Sequence, residues 1–146
     1  MEPKGNRRRE RYVKAHLGFS YVLTPAQERF LKHMVELHRL KSLEAGFKTD
    51  LTRREYMKLM DLREFTFDAT ARELVDMGLI IRRGKSNRNR VYYDLNTEAY
   101  ERLVDLVSCT SSLERLARFI DFNIKKLGRC IDSITYEEME SLARNP

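Results

Sequence analysis

The spacing of hydrophobic residues changes at Gly78, and this change constrains the fold more than any other feature of the sequence. Before Gly78, apolar residues recur every three or four positions, which predicts helices. After it, residues 79–83 are rich in Leu and Ile, residues 84–89 are polar and turn-rich, and residues 90–95 favour a strand again. The sequence therefore predicts helices followed by one β-hairpin.

Capping patterns place the helices before the hairpin. Residues 24–27 (Thr-Pro-Ala-Gln) predict the start of a long helix, which Gly46 would end. Residues 52–55 (Thr-Arg-Arg-Glu) form a capping box that predicts a short second helix. A break that begins at Asp61 separates this helix from a third one, over about residues 64–77.

The chain after the hairpin is predicted to be helical. Asn96 or Thr97 would cap one helix, residues 108–112 form a connector of small residues, and residues 135–138 form another capping box. Between them, apolar residues recur in an approximate heptad pattern, which fits either a dimerisation surface or a helix packed on its own domain. The members of this heptad stripe are Leu113, Leu116, Ile120, Ile124, Leu127, Ile131 and Ile134.

Composition narrows the class of protein. Apolar residues make up 42% of the chain and charged residues 34%, which is typical of a folded globular protein. No apolar run is long enough to predict a membrane span, and the first residues do not resemble a secretory signal, so we expect a cytoplasmic protein. Cys109 and Cys130 form no metal-binding spacing, and the three histidines have no cysteine partners. No catalytic motif is present, and we expect no metal, no cofactor and no enzyme activity.

The net charge of +6 is concentrated in two places. Residues 1–23 carry a net charge of +4 and residues 79–110 a net charge of +2, whereas the rest of the chain is balanced. From Arg82 to Arg90 there are five cations and no acid. Such charge could serve solubility alone, but its clustering favours two surfaces that face a polyanion.

Residues 51–56 (LTRREY) and 72–80 (RELVDMGLI) resemble winged helix–turn–helix domains of bacterial transcription regulators. With the long preceding helix and the later helices, the layout is similar to that of MarR-type dimeric regulators. The resemblance implies a mainly α fold with a small β-hairpin and additional N- and C-terminal helices. It implies a basic arm over residues 1–23, the winged domain over 24–107, and a helical extension over 108–146 that could dimerise.

The resemblance also implies which residues contact DNA. In that family the start and outer face of the second helix of the motif contact bases, and the hairpin is the wing. The recognition helix would span about residues 64–77 and the wing about residues 79–95. The implied base-contacting residues are Arg63, Phe65, Thr66, Ala69 and Arg72. The wing would contribute Arg82, Arg83, Lys85, Asn87, Arg88 and Arg90. The arm could place Arg7, Arg8, Arg9 and Arg11 in a neighbouring minor groove.

The second helix departs from the family pattern at three positions. Glu64 and Asp68 would repel phosphate, although a carboxylate can accept a hydrogen bond from a cytosine amino group. Phe65 could be a wedge, a contact to a thymine methyl group, or a core residue. Phe65 and Phe67 cannot both point inward on a regular helix, so one of them needs another role.

These observations favour a double-stranded DNA-binding transcription regulator that acts as a homodimer, with a small-molecule effector possible. A second hypothesis is a DNA-binding accessory protein of a plasmid or mobile element. A third is a protein–protein adaptor that keeps the winged-helix fold without strong DNA affinity. The acids on the second helix favour the adaptor, whereas the basic hairpin favours DNA.

Overall fold

The computed structural model describes residues 18–43, 51–86 and 90–144, and for residues 85, 86, 90 and 91 it describes the backbone only. The described residues are mainly helical, with one antiparallel pair of strands, which confirms the predicted mainly α chain with a small hairpin. None of the described helices is long and apolar enough to cross a membrane.

The described residues pack into two compact units. Residues 25–96 form the first, here called the central unit. Residues 18–24 and 97–144 form the second, here called the terminal unit. The domain proposed from sequence extended to residue 107, whereas the compact central unit ends at Asn96.

The central unit begins with helix α1 (Pro25–Leu43), which starts at the predicted residue. Its buried side faces the core with Phe30, Leu31 and Met34. The predicted end of this helix at Gly46 lies outside the described residues.

A short turn joins α2 (Arg53–Met60) to α3 (Glu64–Asp76). The capping box at the start of α2 is confirmed: the Glu55 backbone N–H donates to Thr52 Oγ1 at 3.2 Å, and the Thr52 N–H donates to Glu55 Oε1 at 3.0 Å. Asp61 ends α2 in the left-handed conformation, with φ of 52°. This conformation turns the chain sharply, so α3 starts only three residues after α2 has ended.

Gly78 separates α3 from the hairpin. Its φ of 83° lies in the left-handed region, where a residue with a Cβ would be strained. The next N–H, that of Leu79, donates to the Leu74 carbonyl at 3.0 Å, as in a glycine-terminated helix. Gly78 therefore stops α3 and turns the chain into the first strand.

The hairpin pairs β1 (Ile80–Ser86) with β2 (Arg90–Leu95) in antiparallel register. Ile80 lies opposite Leu95, and Ser86 lies opposite Arg90 after an irregularity in the ladder. The sequence prediction of a loop over residues 84–89 was therefore wrong for residues 84–86. Their composition is polar, but backbone pairing continues through the irregularity and keeps them in the strand.

Four aromatic rings form the centre of this unit. Phe30 of α1 stacks on Phe67 of α3 at 5.3 Å between centroids, and Tyr56 of α2 stacks on Phe67 at 6.2 Å. Tyr93 of β2 meets all three rings edge-on at 5.7–6.2 Å. These contacts fix α3 against α1, α2 and the hairpin, so they also fix which side of α3 faces outward.

The terminal unit contains α4 (Thr97–Cys109), α5 (Leu113–Ile120) and α6 (Tyr136–Arg144). A wide π-type turn (Asp121–Lys126) continues α5, and a 3-10 turn (Ile131–Ser133) precedes α6. Residues 18–22, which belong to the predicted arm over residues 1–23, are helical. A Cβ on Gly18 would lie 2.2 Å from Val107 Cγ1, so this helix approaches α4 closely.

The heptad stripe does not form one continuous helix, because Gly128, with φ of 71°, and the two irregular turns interrupt it. Leu127 is exposed at 57%. The other members after Leu113 are buried within a single chain, which favours the packing alternative over a seam reserved for a second copy: Leu116, Ile120, Ile124, Ile131 and Ile134.

Candidate nucleic-acid interface

Helix α3 has one buried side and one exposed side. Phe67, Thr70, Ala71 and Leu74 are at most 3% exposed and face the core. The opposite side, here called the outer face of α3, carries the base-contacting residues that the sequence predicted. It consists of Phe65, Thr66, Asp68, Ala69 and Arg72.

The structure shows which of the two aromatic residues, Phe65 or Phe67, points into the core. Phe67 is fully buried in the aromatic centre, whereas Phe65 is 86% exposed. The interpretation of Phe65 as a core residue was therefore wrong. Because α3 is pinned by Phe67, a residue two positions earlier must point the other way.

Three side chains of the outer face form a line along the helix. Phe65, Ala69 and Arg72 follow each other at intervals of four and three residues, so they lie on one side of the helix. Thr66 lies beside Phe65 and is exposed, and Ala69 is half-buried. Arg63 precedes the helix as its N-cap residue and is exposed, and its side chain forms no capping hydrogen bond.

Arg53 of α2 pairs with the two acids that oppose DNA binding, and so compensates part of their charge. Its Nε donates to Asp68 Oδ1 at 2.9 Å and its Nη2 to Asp68 Oδ2 at 2.6 Å. The same Nη2 lies 3.1 Å from Glu64 Oε1. The Arg53 hydrogen bonds lower the pKa of Asp68, with a smaller Coulombic contribution from Arg72, and burial opposes them only in part.

Sequence reasoning missed this pairing because Arg53 and Asp68 lie on different helices, 15 residues apart. Only a prediction of the angle between α2 and α3 could have found it. Both oxygens of Asp68 accept hydrogen bonds from Arg53, which weakens the earlier suggestion that this carboxylate reads a cytosine amino group.

The hairpin places its two described arginines on opposite faces. Arg82 lies opposite Tyr93, whose ring packs in the aromatic centre, while Arg83 lies opposite Tyr92 on the other face. Arg83 Nε donates to Asp94 Oδ2 at 2.7 Å. The run of five cations therefore has an acidic partner just beyond its end, which the sequence count over residues 82–90 did not include.

Arg82 and the Arg53–Asp68 pair all lie near the Tyr93 hydroxyl. The charges of Arg82, Asp68 and Arg53 all act on the Tyr93 hydroxyl, whose pKa is raised chiefly by burial. Within the described residues, Arg63, Arg72 and Arg82 form no ion pair, so their charges remain available to a polyanion.

Several predicted contacts fall where the structure gives no side chain. Asn87 and Arg88 lie outside the described residues, as do Arg7, Arg8, Arg9 and Arg11 of the arm. For Lys85 and Arg90 only the backbone is described. Their predicted roles stay predictions.

The terminal unit carries an acidic cleft of about 350 Å³. Arg102 stacks its guanidinium 4.4 Å from the centre of the Tyr136 ring at one side of it. Four carboxylates line the cleft with this one arginine, and such a lining disfavours phosphate. They belong to Glu98, Glu101, Asp105 and Asp132.

Cysteine and histidine provide no other centre in the described part of the chain. Burial raises the pKa of the Cys109 thiol, which makes it a poorer nucleophile at neutral pH. His33 Nδ1 lies 2.9 Å from the Arg29 carbonyl of its own helix. No group of three His, Cys, Asp or Glu side chains that could hold a metal ion occurs in residues 18–43, 51–86 or 90–144.

No protein-family model, curated protein sequence or solved structure matches this chain. The candidate interface therefore depends on its own residues: an outward-facing helix with three arginines around it and a basic hairpin beside it.

Proposed function

We propose that this chain is a double-stranded DNA-binding transcription regulator of the winged helix–turn–helix type. Helix α3 would enter the major groove as the recognition helix, and the hairpin would lie along the backbone as the wing. The single observation that carries this proposal is the outer face of α3, which is exposed, has its acids paired to Arg53, and lies beside arginines without acidic partners.

The cations would have two roles, contact with phosphates and recognition of bases. Arg82 and the basic residues of the hairpin tip would neutralise phosphates and release condensed counterions. Arg63 would contact the backbone at the start of α3. Arg72 lies nine residues after Arg63, about two and a half turns further along the outer face. A guanidinium there can donate two hydrogen bonds to guanine.

A homodimer would present two such faces to the two halves of an operator. The homodimer and a small-molecule effector are proposed from the layout of the chain alone. Such an effector would act by changing the separation of the two outer faces. A DNA-binding role on a plasmid or mobile element uses the same interface, and the position of the preferred site relative to a promoter distinguishes it.

The adaptor hypothesis is favoured by one specific observation, the exposed Phe65. An aromatic side chain that is 86% exposed is typical of protein-binding surfaces as well as of base contacts. The unpaired arginines on the same side support DNA, because a purely apolar partner would leave them without compensation.

Fluorescence anisotropy with a random-sequence duplex tests the proposal. We expect log affinity to fall with log salt at a slope of about −4 to −7, which corresponds to roughly five to eight phosphate contacts at −0.9 each. The Arg82→Ala variant should make this slope shallower by about 0.9 and weaken binding to all sequences alike.

Arg118→Ala is the matched control, because Arg118 is an exposed arginine of the terminal unit that pairs with Glu114 along its own helix. This variant should keep the wild-type slope. Absence of binding at about 50 mM salt, where phosphate contacts are strong, would reject the DNA proposal and favour the adaptor.

A further inference from the structure

The outer face of α3 has a particular chemistry beyond its position. Its first two turns present an exposed Phe65, an exposed Thr66 and a half-buried Ala69. Aromatic rings, threonine methyl groups and alanine are the groups that contact the 5-methyl group of thymine in the major groove. Three such groups are therefore adjacent on one helix surface.

The polar groups near this apolar patch are already engaged. Asp68 accepts two hydrogen bonds from Arg53, and Glu64 lies 3.1 Å from the same guanidinium. Both oxygens of Asp68 and one oxygen of Glu64 are thus engaged within the protein, which makes them less available to read cytosine. Hydrogen-bonding readout on this face falls to Arg72, which lies seven residues after Phe65.

The exposure of Phe65 is not explained by packing. At 86% exposed, the ring contacts little of its own unit, although the helix over residues 64–76 packs on the core through Phe67. Leaving an aromatic ring in water costs free energy, which contact with another apolar group would recover.

We infer that Phe65 reads thymine: its ring covers a thymine 5-methyl group, with Thr66 and Ala69 completing the apolar contact and Arg72 reading a nearby guanine. The inference rests on the proposed DNA-binding function and names the base class that its recognition helix selects. A ring inserted as a wedge between base pairs is the alternative, and it would not distinguish thymine from uracil.

Deoxyuridine substitution tests the inference directly, since uracil pairs with adenine as thymine does and lacks only the methyl group. A preferred duplex is first selected from a random pool with the full chain. Each thymine of that duplex is then replaced in turn by deoxyuridine, and Kd is measured by anisotropy. At one or two positions we expect Kd to rise about three- to fivefold, the effect of losing one buried methyl group.

The Phe65→Ala variant should bind the thymine and deoxyuridine duplexes equally at those positions. Phe122→Ala is the matched control, because Phe122 is a half-exposed phenylalanine of the terminal unit. It should keep the wild-type ratio of the two Kd values. Both rings are exposed, so thermal unfolding of both variants should remain close to that of the wild type.

The outcomes separate this inference from the proposed function. If the wild type binds the selected duplex but does not distinguish thymine from deoxyuridine, or if Phe65→Ala keeps the distinction, the inference is overturned and DNA binding stands. If no duplex is selected or bound, the inference about Phe65 and the proposed DNA-binding function are both rejected.

Discussion

The charge of the α3 surface is controlled by a residue that does not belong to α3. Arg53 in the first turn of α2 pairs with both Asp68 on the outer face and Glu64 at the start of α3. In the proposed complex these two carboxylates would meet DNA already paired. Like charges left facing phosphate would oppose binding through Coulomb repulsion. Arg53 is therefore a positioning and neutralising residue, distinct from the arginines that would touch DNA.

Replacing Arg53 with Gln should weaken DNA binding about tenfold at low salt, because two uncompensated carboxylates then face the phosphates. The thermal unfolding temperature should change little, since the pairs are solvent-exposed and such pairs contribute little to folding. Anisotropy with the selected duplex measures the change in Kd.

The double variant Arg53→Gln with Asp68→Asn provides the control for this prediction. Removing one of the uncompensated charges should recover part of the lost affinity. Equal losses in the single and double variants would show instead that Arg53 contacts DNA itself and that its pairing with Asp68 has no role in binding.

The sequence predicted the elements that depend on local interactions better than the features that depend on distant ones. The capping boxes at Thr52 and Thr135 are both present, because each depends on hydrogen bonds to a residue three positions away. The α3 helix and its stop at Gly78 also follow from local spacing and a left-handed glycine.

Features that depend on contacts between elements were missed. The Arg53–Asp68 and Arg83–Asp94 pairs, the side to which Phe65 points, and the pairing of Ser86 with Arg90 all require the arrangement of helices and strands in space. Apolar spacing predicted a helical stripe after residue 113 but could not show that the chain itself covers most of it.

Helix α6 is held at its start by one ion pair. Arg129 donates to both carboxylate oxygens of Glu138 at 2.8 Å, and also to Asn123 Oδ1 and the Ser133 carbonyl. These bonds connect the π-type turn, the 3-10 turn and α6. The Arg129 hydrogen bonds are the largest cause of the shift that lowers the pKa of Glu138 to about 2.

This pair predicts a specific dependence of stability on pH. Because the folded pKa of Glu138 lies below its ordinary value of 4.5, the stabilisation is complete above pH 4.5 and is lost as pH falls towards 2. Glu138→Gln should cost about 1–2 kcal/mol of unfolding free energy at pH 7, and this cost should shrink between pH 4.5 and 2.

Urea unfolding followed by circular dichroism at several pH values measures this effect. Glu140→Gln is the control, since Glu140 forms an exposed pair with Arg144 along the same helix and should have little effect at any pH. A cost for Glu138→Gln that stays constant from pH 7 to pH 2 would contradict the assignment of the stabilisation to this ionised carboxylate.

At the scale of the whole molecule, charge is separated by unit. The candidate interface, with Arg63, Arg72 and Arg82, lies on the central unit, whereas the terminal unit carries a cleft lined by four carboxylates and one arginine. The proposed division of labour follows: the central unit meets DNA, and the terminal unit provides the surface for a second copy. Most of the heptad stripe is covered within one chain, so that surface would use its exposed member Leu127.

A homodimer makes a prediction that links protein and DNA symmetry. Sedimentation velocity should show two copies of the chain, and the selected site should be an inverted repeat with half-sites about one helical turn, ~34 Å, apart. The two results must agree, because a two-fold axis in the protein is matched by one in the operator. A monomer that selects an asymmetric site would reject the dimer but keep recognition by a single α3. A dimer that selects an asymmetric site would mean that only one outer face reaches the DNA at a time.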